Sequence, residues 1–181
     1  DLTQSSRIVA EYNAIRDDDK KMYDKSGHGT HVASVILNSS VSSGGTPLSI
    51  APMSDLIVVK AFGADGSGTY ADVIRGVDWV IANAATHNIR VLNLSFSAPP
   101  QSFYWDDPLN QAVMAAWHAG IVVVASAGNE GPEPMSVGVP GNVPYIITVG
   151  AMTDSYTPGD LTDDHLATFS AAGPTVERFI K

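Results

Sequence analysis

The apolar positions of this chain form two kinds of run. Four are short and continuous: Leu56-Ile57-Val58-Val59, Ile89 to Leu94, Ile121-Val122-Val123-Val124 and Tyr145 to Val149. Their length and β-branched content predict strands buried on both faces of a sheet. Arg7 to Tyr12 reads as a shorter strand, and Ala167 to Ser170 as a last one. The other kind recurs at three and four residues. Tyr70, Val73, Ile74, Val77, Val80, Ile81 and Ala84 make one helical face, and Leu109, Ala112, Val113 and Ala116 make another. Asp107-Pro108 supplies an N-cap with proline at the first helical position, and Gly120 supplies the stop. Residues 28–37 predict a further helix with Val32, Ile36 and Leu37 on one side. Between these elements, residues 38–49, the turn Gly63 to Gly68, the charged stretch Asp17 to Lys21 and the tail Asp154 to Asp164 are loop by composition.

Strands alternating with helices imply an α/β fold: a mostly parallel sheet with helices on both faces. The four continuous runs are expected as parallel neighbours in one sheet. The 181 residues, 44% of them hydrophobic, suffice for one domain or one large piece of a domain. The formal net charge of −9 argues against nucleic acid and against anionic membranes as partners. There is no cysteine, so disulfides contribute nothing. No apolar run approaches the length needed to span a bilayer, and the first residues are polar, unlike a signal peptide.

The polar motifs sharpen this picture. Gly27-His28-Gly29-Thr30-His31-Val32-Ala33 opens the first helix, and Ser126-Ala127-Gly128-Asn129-Glu130-Gly131 closes a strand. Between and after them, in order, stand Ile50-Ala51-Pro52, Val59-Lys60-Ala61 with Gly66-Ser67-Gly68, Leu92-Asn93-Leu94-Ser95, Val139-Pro140-Gly141 and Phe169 to Pro174. Together they resemble the catalytic domain of the subtilisin-like serine peptidases, over nearly the whole chain. The resemblance implies that family's three-layer sandwich and a secreted or extracellular endopeptidase acting through an acyl-enzyme. It implies no required cofactor. Structural calcium is conceivable at the loop 38–49, which offers Asn38 but no carboxylate, or at Asp17-Asp18-Asp19.

By the resemblance, His28 is the general base, which takes the nucleophile's proton during attack and returns it to the leaving amine. His31 is the runner-up, with a packed helical histidine as its plain reading. Zinc at His28 and His31 would need further ligands, and the sequence suggests none. Asn129 matches the donor that stabilises the oxyanion of the tetrahedral intermediate. Substrate would pair by its backbone between Gly66-Ser67-Gly68 and Ser95-Phe96-Ser97. Tyr70 and Val73 match the lining of an apolar subsite, with helix core as the alternative. Ser95-Phe96-Ser97-Ala98 and Ala125-Ser126-Ala127, continuing into Gly128, would wall the primary pocket. Ser97 and Ala98 stand where the family often has two glycines, so their side chains should narrow its entrance. Glu130 matches a position near its base.

Two parts of the family's machine are not found within the 181 residues. No Asp-Ser/Thr-Gly motif precedes His28, with Asp1 a distant alternative, and no Gly-Thr-Ser-Met-Ala follows Asn129. The sequence therefore reads as an incomplete, central portion of such a domain. It predicts no hydrolysis by this chain alone and a tendency to pair with a second copy or with complementing segments. The competing expectation is a non-catalytic scaffold that binds peptides or self-associates.

Overall fold

The computed structural model describes residues 7–20, 22–157 and 159–181; Asp1 lies outside them. The chain gathers into two compact units, residues 1–79 and 80–181. Sequence order is β1 (Ile8–Asn13), α1 (His28–Leu37), β2 (Leu56–Lys60), α2 (Tyr70–Asn83), β3 (Val91–Leu94), α3 (Pro108–His118), β4 (Val122–Ser126), β5 (Ile147–Val149), β6 (Met152–Thr153) and β7 (His165–Leu166).

In the first unit, β1 and β2 pair in parallel and end together, Asn13 opposite Lys60. Tyr12 is buried on β1 and stacks on Trp79 of α2, ring centroids 5.1 Å apart. Its hydroxyl donates to Asp17 at 2.6 Å. Burial, then that bond and the Asp17 charge, push the phenol up to about 12. Arg75 of α2 donates to the Ala14 carbonyl just past β1 and to Asp72. Arg7 ties the carbonyl of Leu37, at the end of α1, to that of Pro52. Two arginine side chains thus satisfy backbone carbonyls just past β1, at the end of α1 and in the loop before β2.

In the second unit, β3, β4 and β5 form a parallel sheet in that order. Leu94, Val123 and Ala125 point to one face and are buried. The α3 stripe that includes Leu109, Ala112, Val113 and Ala116 is buried too. Asp107 caps α3 as predicted, its carboxylate accepting the N–H groups of Leu109 and Asn110. Asn110 then donates across 3.0 Å to Asn142, both fully buried, which fixes the Val139–Asn142 loop to α3.

The other face of this sheet is open. Val91 is 59% exposed, Val122 47%, Ile147 54% and Val149 51%. These residues share one side by register. The continuous apolar runs predicted burial on both faces; the structure covers one. β2 is likewise half-buried along its whole length.

Three further expectations change. The runs at 56–59, 89–94, 121–124 and 145–149 do not all lie in one sheet. β3, β4 and β5 are neighbours, but β2 pairs with β1, and among the described residues no pairing joins it to β3. β3 starts at Val91 and β5 at Ile147, later than their apolar runs begin. Residues 167–170 form a turn rather than a strand, closed by Ser170 N–H to the Ala167 carbonyl. The small antiparallel pair is made instead by β6 and β7. Ser170 explains this: it is fully buried, and its hydroxyl accepts the Ala151 N–H at 3.0 Å, a side-chain bond that replaces a ladder bond.

Candidate active site

His28 is the first residue of α1. Gly27 before it holds φ +82°, a left-handed conformation that a side chain disfavours. Gly27 has no side chain to cap the helix, and Asp24 does so from three residues upstream. One carboxylate oxygen accepts the Gly27 N–H at 2.9 Å, the other the Thr30 N–H at 2.7 Å. The Ser26 hydroxyl also donates to it. Burial pushes this carboxyl up, but the backbone and hydroxyl donors of Thr30, Gly27 and Ser26 outweigh it and hold it at about 2. A fixed negative charge therefore sits at the helix start, where the dipole favours it. The His28 side chain is exposed. His31 is exposed too, not packed as its plain reading expected, because its side of α1 faces away from the core residue Leu37.

Gly66-Ser67-Gly68 form an exposed turn. The Gly63 N–H donates to the Ser67 carbonyl at 2.7 Å, and Asp65 accepts the backbone and hydroxyl of Ser67. Tyr70 opens α2 half-buried, whereas Val73 belongs to the core.

In the second unit, Asn129 lies three residues beyond the carboxyl end of β4, where parallel sheets place their sites. The loop that carries it is held by backbone bonds on both sides. Ala127 donates to Val149 and accepts from Gly138. The Gly128 carbonyl accepts from Ala171, and the Gly131 N–H donates to Phe169. Gly131 is required by proximity: a Cβ there would meet the Ser170 carbonyl oxygen at 1.8 Å. Between these anchors Asn129 and Glu130 are exposed. Among the described residues the Asn129 side chain makes no hydrogen bond, so its amide is an uncommitted donor.

The segment Ser95-Phe96-Ser97-Ala98 leaves the carboxyl end of the neighbouring β3, and Ala98 exchanges two backbone bonds with Val139, 2.9 and 2.8 Å. The Ser97 side chain packs against the loop: a Cβ at Gly128 would lie 3.0 Å from its hydroxyl, and one at Gly138 3.1 Å from its Cβ. Ser95 accepts from Asn93 at 2.8 Å, and Phe96 is half-buried. The structure thus gathers Ser95, Phe96, Ser97, Ala127, Gly128 and Asn129 at one end of one sheet. Phe169 to Ala171, part of a motif in the sequence, clamp the Asn129 loop together with Gly138 and Val149, while Val139 holds Ala98.

A family model described as the subtilase family (peptidase S8) matches residues 3–181. The chain belongs to the subtilase family. Among similar subtilases is the serine protease AprX of Bacillus subtilis, 42% identical over 159 residues, covering 85% of this chain and 36% of that protein. Another is the cuticle-degrading serine protease of Arthrobotrys oligospora, 34% identical over 175 residues, covering 97% of this chain and 37% of that one. The chain thus spans about a third of the length of these relatives. A crystal structure of a cold-adapted subtilisin-like serine proteinase superposes with a TM-score of 0.73 at 32% identity, covering 93% of this chain and 53% of that one. The α/β fold is therefore that of the subtilisin-like proteases, present here in part.

Proposed function

We propose that this chain supplies the general base and the oxyanion donor of a secreted serine endopeptidase, with His28 as base and Asn129 as donor. The observation that carries the reading is the Asn129 loop: an uncommitted amide on a backbone-clamped turn at the carboxyl end of a parallel sheet. Preorganised donors of this kind need no reorganisation as charge develops on the substrate oxygen. His28, exposed at a helix start fixed by Asp24, is available to exchange a proton with solvent-side partners. In this reading Gly66-Ser67-Gly68 and Tyr70 in the first unit and Ser95-Phe96-Ser97 in the second are assigned to an extended peptide, and Ala127 and Gly128 to the pocket for its main side chain.

Base and oxyanion donor do not supply a nucleophile. The isolated 181-residue chain should therefore show no peptide hydrolysis and no labelling by a serine-directed phosphonate. Supplied with segments carrying Asp-Ser-Gly and Gly-Thr-Ser-Met-Ala, fused or in trans, it should hydrolyse peptides. His28→Ala should abolish that activity. Stoichiometric phosphonate labelling of the isolated chain would overturn this reading.

The open face at Val91, Val122, Ile147 and Val149 favours association as a second property. Parallel sheets are stable when both faces are covered. A second copy or a complementing segment would bury this one.

A further inference from the structure

The first unit contains a cavity of about 250 Å³ that plays no part in the reading above. It lies at the carboxyl ends of β1 and β2, where Asn13 and Lys60 are cross-strand partners. Arg16, Lys25 and Lys60 line it with no carboxylate among the lining residues, in a chain whose formal net charge is −9. The aspartates adjacent in sequence to Arg16, Lys25 and Ala64 are engaged elsewhere. Asp17 accepts from Tyr12, Asp24 from the start of α1, and Asp65 from Ser67. Asp18 pairs with Arg16 and leaves the lysines alone. Among the described residues Lys25 and Lys60 make no ion pair. Asn13 is 3% exposed. Its Oδ1 is committed to the N–H groups of Ile15 and Arg16, which leaves its Nδ2 as a donor at the cavity wall.

We propose that this cavity is an oxyanion-binding site, taking the carboxylate or phosphate group of a small ligand or of an acidic side chain. Lys25 and Lys60 bring two positive charges to one cavity without an ion-pair partner among the described residues, and an oxyanion would neutralise them while accepting from Asn13. Hydrogen bonds between charged partners are about twice as strong as neutral ones, so the lysines dominate the affinity. Arg16 adds guanidinium donors, since its pairing with Asp18 uses only Nε and one terminal nitrogen.

The test is a titration of the 181-residue chain followed by amide NMR at constant ionic strength. One arm uses inorganic phosphate and the other N-acetyl-glutamate amide, with chloride as the control. Saturable shifts at Asn13, Arg16, Lys60 and Ala64 are expected in at least one arm, and the arm that saturates at the lower concentration identifies the source. Lys60→Gln and Lys25→Gln should each weaken binding about tenfold, as loss of one charge-assisted bond implies; Lys60→Arg should retain it. Lys25 is exposed, so Lys25→Gln reports even where Lys60→Gln disturbs the strand. No saturation in either arm, or unchanged binding in Lys25→Gln, would overturn the proposal. Hydrolysis is not the readout, so the outcome is independent of the roles of His28 and Asn129.

Discussion

Asp24 shows how a single side chain fixes a helix start from outside the helix. Its two oxygens hold the Gly27 and Thr30 N–H groups on either side of His28. Asp24→Ala should cost about 1 kcal/mol, the usual value of a lost helix cap, measured by urea denaturation. The pH dependence has a definite sign. The folded carboxyl sits at about 2, below its ordinary value of about 3.9. Its contribution is fully present above that ordinary value and is lost as pH falls toward 2. Wild type should lose more stability than Asp24→Asn across this window; parallel curves would show that the cap carries no charge effect. At Asn129 the role proposed above sets the expected outcome. In the complemented enzyme, Asn129→Ala should lower turnover about a hundred- to a thousandfold, the loss a subtilisin shows without its oxyanion asparagine. Steady-state kinetics checks this, and a drop confined to substrate affinity would count against the role.

At the scale of elements, the loop after β4 is held by close approach as much as by bonds. Gly131→Ala forces its chain away from the Ser170 carbonyl, a backbone atom that cannot swing aside. Overpacking of this kind costs about 1–3 kcal/mol or more, and should appear as a lowered thermal midpoint with the Asn129 amide resonance displaced. Helix α3 gives a simpler case. Asp107→Ala removes a buried carboxylate that accepts two backbone N–H groups. It should cost about 1–2 kcal/mol, and Asp107→Asn should recover most of that loss.

For the whole molecule, the open sheet face carries the proposed association. Val91, Val122, Ile147 and Val149 present adjoining apolar side chains. A cavity of about 310 Å³ lined by Trp117, Val122, Tyr145 and Ile147 extends that surface. Contiguous apolar surface of this sort marks an interaction site. Sedimentation velocity should show concentration-dependent association that the double substitution Val122→Lys, Ile147→Lys removes while the far-ultraviolet spectrum is kept. A monomer at all concentrations in the unsubstituted chain would show that the face tolerates water.

The sequence alone settled the elements whose signals are local. The start of α1 at His28, the Asp107 cap and Pro108, and the length of α2 each depend on residues within a few positions of one another. The motifs around His28 and Asn129 placed the chain in its family for the same reason, since each is a short run of fixed residue types. Tertiary structure decided what depends on distant partners. A run such as Ile121 to Val124 is equally apolar whether one face is covered or two, so its sequence could not reveal that Val122 is open. Residues 167–170 carry a strand-like composition, yet the burial of Ser170 against the chain at Ala151 makes them a turn. The clamps on the Asn129 loop, from Gly138 and Phe169 to Ala171, come from segments far along the chain, and only folding brings them together.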